Sequence, residues 1–512
     1  MFTCISKINL IRNKLSLKLN VRLNLNIRLK YMRLKMKLNF LLCTTLLSLS
    51  AHALEIDEST LVNWAKTSSF TKNQIEIAKL QAANEEKSFN ENFIYNFGTE
   101  ATYINTEEQP FTQFVPVQTP VRNFQVKLEK ATKRGLKIST SAFSNQSTNN
   151  FIRRATSTGV TLSLSADLYK DLLGSLTKKR ELSLSLQKKI ANEEASINEK
   201  AFIAEVRKLY WSIIANNESI EIAKSLLRTS QKLEQDTLER FKSRVADKDE
   251  LTRISSQVQA RKGQIYLLEY ERSNLLKQLR NLFPDQLNEQ SITLKNYSIP
   301  NTVKDVLACS AKISASKQAP LEHTKYDEIL TYLEADLAAQ LAINEKHDDP
   351  EVNLIGEATY LGNDFGHSDS FDQLRNDGRA GVTVGLAVNI PLSDEKKDTQ
   401  AVRKELITKG NISKYKEIQG KLSSFHIETV NSINVLYKVI AAQKKNTKLL
   451  NDTYVISNKK FKQARITAQN LLQDEDSLLQ SNLNEIQTQY NVIATIIDYF
   501  SVYGDAPCKI NL

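Results

Sequence analysis

Between Gly174 and Gly263 the chain contains no glycine, and between Pro120 and Pro284 it contains no proline. The residues that most often end or kink a helix are therefore missing over a very long run. Asp171 to Phe241 is about 70 residues, and at about 1.5 Å per residue a continuous helix over it spans roughly 105 Å. A second run of similar length extends from Leu392 to Phe461. Helices this long cannot form the core of an ordinary domain. Apolar residues recur every seven positions at Val206, Ile213, Ile220 and Leu227, and again at Leu472, Leu479, Ile486, Ile493 and Phe500, with Leu483, Tyr490 and Ile497 beside them. A seven-residue period drives left-handed supercoiling against neighbouring helices.

The long runs belong to a duplicated unit. Gly159-Val160-Thr161-Leu162-Ser163-Leu164 returns as Gly381-Val382-Thr383-Val384-Gly385-Leu386, at an offset of 222 residues. Arg240-Phe241-Lys242 returns as Lys460-Phe461-Lys462 at an offset of 220, and Glu100-Ala101-Thr102-Tyr103 as Glu357-Ala358-Thr359-Tyr360 at 257. A shared order of strand, strand, long helix, turn and return helix implies one repeated structural unit.

The strands alternate with period two. Val160, Leu162, Leu164 and Ala166 face one way, and Thr161, Ser163, Ser165 and Asp167 the other. Phe93, Tyr95, Phe97, Thr99, Ala101 and Tyr103 form another such strand, and Asn123–Lys130 with Leu136–Phe143 read as a hairpin turned at Lys133-Arg134-Gly135. An apolar face on a strand meets either a protein core or, in a transmembrane barrel, lipid, with the small polar face lining a lumen. Period alone fits both. Tyr95, Tyr103, Phe143 and Tyr169 lie near strand ends, as an aromatic girdle requires. Residues 57–91 read as helix, Asn105 to Pro120 as loop, Val303–Leu307 and Thr324–Ile343 as further helix, Glu351–Leu361 as strand, and 362–379 as a polar, acidic strand connection.

The basic charge of the chain argues nothing about nucleic acid. Ten basic residues and no acidic one fall within residues 1–53, which accounts for ten of the formal +11. Met36-Lys37, the apolar stretch from Phe40 to Leu49 and Ala51-His52-Ala53 read as a signal peptide with its cleavage site; Met36 is the alternative start, and the mature chain begins at Leu54. The organisation is then a leader at 1–53, repeat one at 54–284, a linker at 285–302, repeat two at 303–504 and a tail at 505–512. After cleavage only Cys309 and Cys508 remain, either as a disulfide formed on export or as two buried thiols. His323, His347, His367 and His426 are scattered without metal-ligand spacing, and no nucleophile or phosphate-cradling motif occurs. Neither an enzyme nor a cofactor is indicated.

Taken together, these parts resemble the TolC family of outer membrane efflux factors. The resemblance rests on the leader, on two repeats of helix, strands, long helix and return helix, on Ala387-Val388-Asn389-Ile390-Pro391-Leu392 running from a last strand into a long helix, and on the exit Asp167-Leu168-Tyr169-Lys170-Asp171-Leu172-Leu173-Gly174. It covers nearly the whole mature chain, and order and length carry it rather than any single motif. It implies a mostly helical fold with a β-barrel part: four membrane strands from each protomer, a homotrimer sharing a 12-strand transmembrane barrel, and a periplasmic coiled-coil tunnel. The implied role is the outer membrane channel of a tripartite efflux or type I secretion system. Such a channel sits in outer membrane lipid of a Gram-negative bacterium and conducts passively what an inner-membrane transporter delivers through a periplasmic membrane-fusion adaptor.

The resemblance also assigns residues. Phe241 to Leu251 and Phe461 to Leu472 match the family's helical tips, so Phe241, Arg244, Leu251, Phe461, Ala464, Leu471 and Leu472 are the expected adaptor contacts. Members usually carry a glycine where Arg244 and Ala464 stand. Some have an aspartate pair near the second tip, at positions matched here by Asn470 and Gln473, with Asp474, Glu475 and Asp476 following. The gate candidates are therefore Asn470, Gln473, Asp474, Asp476, Asp247 and Asp249. The competing reading is a periplasmic or secreted coiled-coil structural protein that forms no channel.

Overall fold

The computed structural model describes residues 54–67, 69–106, 119–148, 154–287, 292–295, 297–315, 324–390 and 395–504. The leader, most of the 105–120 loop, the Pro391-Leu392 step, Cys508 and the 505–512 tail lie outside the described residues. In chain order the elements of repeat one are β1 (Leu54–Ile56), α1 (Glu58–Thr67), α2 (Phe70–Glu91), β2 (Tyr95–Ile104), β3 (Val121–Ala131), β4 (Leu136–Ser147), β5 (Ala155–Asp167), α3 (Ser175–Lys242) and α4 (Lys248–Leu282). They continue with β6 (Ile292–Leu294), α5 (Ile299–Ala315), α6 (Lys325–His347), β7 (Glu351–Asp364), α7 (His367–Asp377), β8 (Arg379–Asn389), α8 (Glu395–Lys462) and α9 (Ala468–Tyr503).

The chain divides into two units. In the smaller, β1 and β6 pair in parallel, Leu54 opposite Ile292 and Ile56 opposite Leu294. All other elements belong to the larger unit.

The two glycine-poor runs are single helices of 68 residues each, α3 and α8. At about 1.5 Å per residue each is roughly 100 Å long. Towards the sheet, α2 packs on α3, α3 on α6 and α6 on α8; towards the tips, α4 packs on α3, α3 on α9 and α9 on α8. The heptad stripe does the packing: Leu472, Leu479, Ile486, Ile493 and Phe500 are all buried, as are Val206, Ile213 and Ile220. The helix read over 57–91 is two helices, because Ser69 caps the second by accepting the Lys72 N–H at 3.1 Å. Helix α1 docks through a buried carboxylate: Glu58 accepts from Arg207 Nε at 2.5 Å and from Trp211 Nε1 at 3.2 Å. Cys309 is disulfide-bonded.

The sheet corrects the strand count. It has six strands, not four, in the antiparallel order β2-β3-β4-β5-β7-β8. The hairpin β3–β4 lies between β2 and β5, and its own alternation matches theirs. The sheet is open, with β2 and β8 as its edges. One row across it reads Phe97, Leu128, Thr140, Leu162, Ala358, Val382; the next reads Gly98, Lys127, Ser141, Thr161, Thr359, Gly381. The first row belongs to an apolar face that stays exposed, with Phe97, Val382 and Val384 each more than 70 % exposed. The second belongs to a polar face that lines a concavity of about 630 Å³. Phe143 lies in this concavity rather than in the apolar girdle, because its partner Gly159 leaves the ring room.

Two glycines fix the junction of sheet and helix. Gly135 and Gly174 both have φ of +74°. A Cβ on Gly174 would run into the Lys133 carbonyl, and one on Gly135 would lie 2.6 Å from the Asp171 carbonyl oxygen. Asp171 caps α3 by accepting from the Leu176 N–H at 2.7 Å, the Thr177 N–H at 3.0 Å and the Thr177 hydroxyl at 2.5 Å. The acidic connection 362–379 is not plain loop: it contains α7, which lies against β5 and β7, with Thr158 Oγ1 2.7 Å from Ser370 Oγ.

Candidate functional site: the paired helical tips

Each long helix reverses into its return helix over a short turn, 243–247 in one repeat and 463–467 in the other. The turns have the same construction. Arg244 and Ala464 are left-handed, at φ of +58° and +55°. The Arg244 N–H donates to Phe241 O at 3.0 Å and the Val245 N–H to Arg240 O at 2.8 Å; in repeat two Ala464 donates to Phe461 O at 2.9 Å and Arg465 to Lys460 O at 2.9 Å. These are the paired bonds of a Schellman motif, which satisfies the last carbonyls of a helix. The motif normally takes glycine at the left-handed position. Here it forms without one, at a cost of about 1–2 kcal/mol per turn. The return helix α9 is capped by Thr467, which accepts from the Asn470 N–H at 3.4 Å.

The expected contact residues divide between surface and core. Phe241, Arg244 and Ala464 are exposed and Leu251 is half-buried. Phe461, Leu471 and Leu472 point inward and form one core with Leu233 and Ile254, so both repeats contribute to it. The Arg240 guanidinium lies 5.1 Å from the centre of the Phe461 ring, a cation–π contact across the repeats, and pairs with Glu250 at 3.4 Å. Val245, 66 % exposed at the first tip, is an apolar surface residue that the sequence reading did not single out.

The gate candidates are likewise spread out. Asn470 and Gln473 are exposed. Asp247 stands at the N-cap position of α4 without a capping bond from its side chain, and Asp249 pairs with Arg253 at 2.9 Å. Asp474 accepts from Ser457 at 2.5 Å, within repeat two. Asp476 reaches across to repeat one, pairing with Arg261 at 2.6 Å and accepting from Gln257 at 2.6 Å. Arg253 also donates to Gln469 at 3.2 Å.

The side chain at the centre of this network is Glu475, which has no exposed surface. It accepts from the Ser230 hydroxyl and lies 3.9 Å from Arg261, itself only 5 % exposed. Burial pushes the Glu475 carboxyl up from its usual range and Asp476 adds to the shift, while Ser230 and Arg261 oppose it. The Tyr454 phenol is pushed up to about 12 by burial and by the Glu475 carboxylate. The signal for this cluster was present in the sequence. Ser230 stands between Leu226 and Leu233, Arg261 between Val258 and Ile265, and Glu475 between Leu472 and Leu478. Each is a polar residue on an apolar helical stripe, and a buried charge needs a partner.

Neither a protein-family model nor a curated relative matches the sequence. Solved structures do match. The chain is similar to the CmeC outer membrane channel of Campylobacter jejuni, at 14 % identity over 87 % of this chain and 85 % of that one, with a TM-score of 0.61. The outer membrane protein VceC of Vibrio cholerae aligns at 14 % identity over 87 % and 96 %, with a TM-score of 0.61. The open state of the Neisseria gonorrhoeae MtrE outer membrane channel aligns at 13 % identity over 87 % and 88 %, with a TM-score of 0.58. The alignments span nearly the full length of each of these chains, and the fold of this chain is that of the TolC-like outer membrane factors.

Proposed function

We propose that the protein is the outer membrane channel of a tripartite efflux or type I secretion system. The observation that carries this reading is the sheet: one face is apolar and exposed over much of its width, with α7 covering it at the Thr158–Ser370 end, and the other is polar and concave. Lipid is the environment that suits such an outward face, because exposing a patch of this size to water invites association. An open sheet in lipid also leaves unpaired backbone groups at its edges, each costing several kcal/mol, so the edges must pair with other copies.

The lateral order of the elements supports a ring. Helix α2 leads into the edge strand β2, and the opposite edge strand β8 leads into α8. Apolar side chains are exposed on both flanks: Phe70 and Leu80 on α2, Tyr266 and Tyr270 on α4, Val402 and Leu406 on α8. A head-to-tail contact between such flanks closes by rotation into a homotrimer. In this reading the barrel crosses the outer membrane, the helices extend into the periplasm as a tunnel, and the channel conducts passively. An adaptor engages the exposed tip residues Phe241, Arg244, Val245 and Ala464, and connects the tunnel to an inner-membrane transporter. Opening separates the two hairpins α3–α4 and α8–α9 at the tip, which loosens the Arg261–Asp476 and Arg240–Phe461 contacts.

Membrane fractionation with native mass determination tests the assignment. A trimer in the outer membrane fraction is expected. A monomer or dimer confined to the periplasmic extract would instead support a coiled-coil structural protein.

A further inference from the structure

Building on the channel reading, we propose that the β3–β4 hairpin is a section of the barrel wall, so that three copies close a barrel of eighteen strands. The hairpin is paired along nearly its whole length on both sides, Val121–Lys130 against β2, Val121–Ala131 against Lys137–Ser147 within the hairpin, and Leu136–Ser147 against β5. Its alternation is in phase with its neighbours. Phe124, Leu128 and Ile138 continue the apolar face, and Asn123, Lys127 and Ser139 the polar one. Its inner turn is locked to the rest of the unit. Gly135 O accepts from the Asp167 N–H at 3.2 Å, Lys133 pairs with Glu181 at 2.5 Å, and the turn packs so closely on the Asp171–Gly174 segment that neither Gly135 nor Gly174 has room for a Cβ. A hairpin held this way cannot swing out of the sheet.

The edges are suited to one occupant, a second copy of this chain. Six alternating strands give β2 and β8 opposite directions, so β8 of one copy meets β2 of the next in antiparallel sense. Their lengths, ten and eleven residues, match. The widths also match. Six strands tilted by about 40° occupy an arc of roughly 38 Å, and four helix positions about 9 Å apart occupy roughly 36 Å. Sheet and helical layer therefore subtend similar arcs, and one ring closes both. Barrels of this strand number leave an aqueous channel, which puts the constriction at the helical tips.

Collision accessibility of spin labels in the reconstituted oligomer tests this. The labels sit at Thr140→Cys and Lys127→Cys in the hairpin and at Val384→Cys in β8, with Ile138→Cys as a second outward site should Thr140→Cys assemble poorly; native mass is measured on the same samples. Thr140 and Val384 labels are expected to collide with oxygen in the lipid, the Lys127 label with an aqueous nickel chelate, and the mass to be that of three copies. A Thr140 label in water beside a Val384 label in lipid would overturn the hairpin assignment and leave the channel reading standing. An oligomer of two copies would overturn the eighteen-strand count. A Val384 label in water would overturn the channel reading itself.

Discussion

Arg261 and Asp476 form an ion pair at 2.6 Å that joins the first helical hairpin to the second, and Arg261 is almost wholly buried where it does so. Glu475 beside it is buried completely. Arg261→Gln leaves the Glu475 carboxylate in the helical packing with Ser230 as its remaining partner. Breaking a buried ion pair from one side costs about 3–5 kcal/mol, so thermal unfolding of the variant should begin several degrees earlier. An unchanged melting profile would mean that the tip packing does not depend on this pair.

Glu475 also sets a pH dependence. Its carboxyl is raised above the ordinary value of 4.5, first by burial. Between that value and the raised one, the folded protein holds a proton that the unfolded chain has released. Stability therefore falls as pH rises through this window, and the penalty is fully present above it. Glu475→Gln removes the ionisation and keeps a hydrogen-bonding group, so its unfolding should be less sensitive to pH across the same range and its melting temperature at neutral pH should rise. Equal pH profiles for variant and parent would contradict the assignment.

The two tip turns carry a left-handed residue that is not glycine. Arg244→Gly and Ala464→Gly relieve the Cβ contact at φ of +58° and +55°. Each should stabilise by about 0.5–1 kcal/mol, the steric relief exceeding the entropy cost of glycine. Ala464→Val should do the opposite, since a β-branched residue is poorly accommodated there. Chemical denaturation of the single variants measures both.

Adjacent residues on one strand should respond oppositely to charge. Leu162 lies on the exposed apolar face near the middle of β5, and Thr161 lies on the polar face beside Thr359. Leu162→Arg should cost about 2–4 kcal/mol if that face meets lipid, and Thr161→Arg much less. The yield of assembled oligomer in membranes reports the difference. Equal yields would count against lipid contact.

Much of this architecture was legible in the chain because it depends on local rules. The absence of glycine and proline after Gly174 marked the long helix, and the seven-residue stripe from Leu472 to Phe500 marked the face that packs. The hairpin at Lys133-Arg134-Gly135 was also visible. What period two could not reveal was where the hairpin goes, since pairing partners are chosen by the whole sheet, so four strands were expected where six form. The tips show the same limit. Phe461, Leu471 and Leu472 were marked as contact residues by position in the repeat, yet the opposing hairpin supplies Leu233 and Ile254 to cover them. Glu475 was read as part of an acidic run between Asp474 and Asp476. Its burial follows from Arg261 and Ser230 at the same level on other helices, a relation across 245 residues in the case of Ser230.

We propose that this chain forms a transmembrane channel closed at its helical tips. Single-channel recording of the purified oligomer in a planar bilayer tests it most directly, with the parent protein and Arg261→Gln measured side by side. Stable insertion with a small conductance in the parent and a larger one in the variant is the predicted result. Failure of the parent oligomer to insert or conduct, in a preparation shown to be folded, would contradict it.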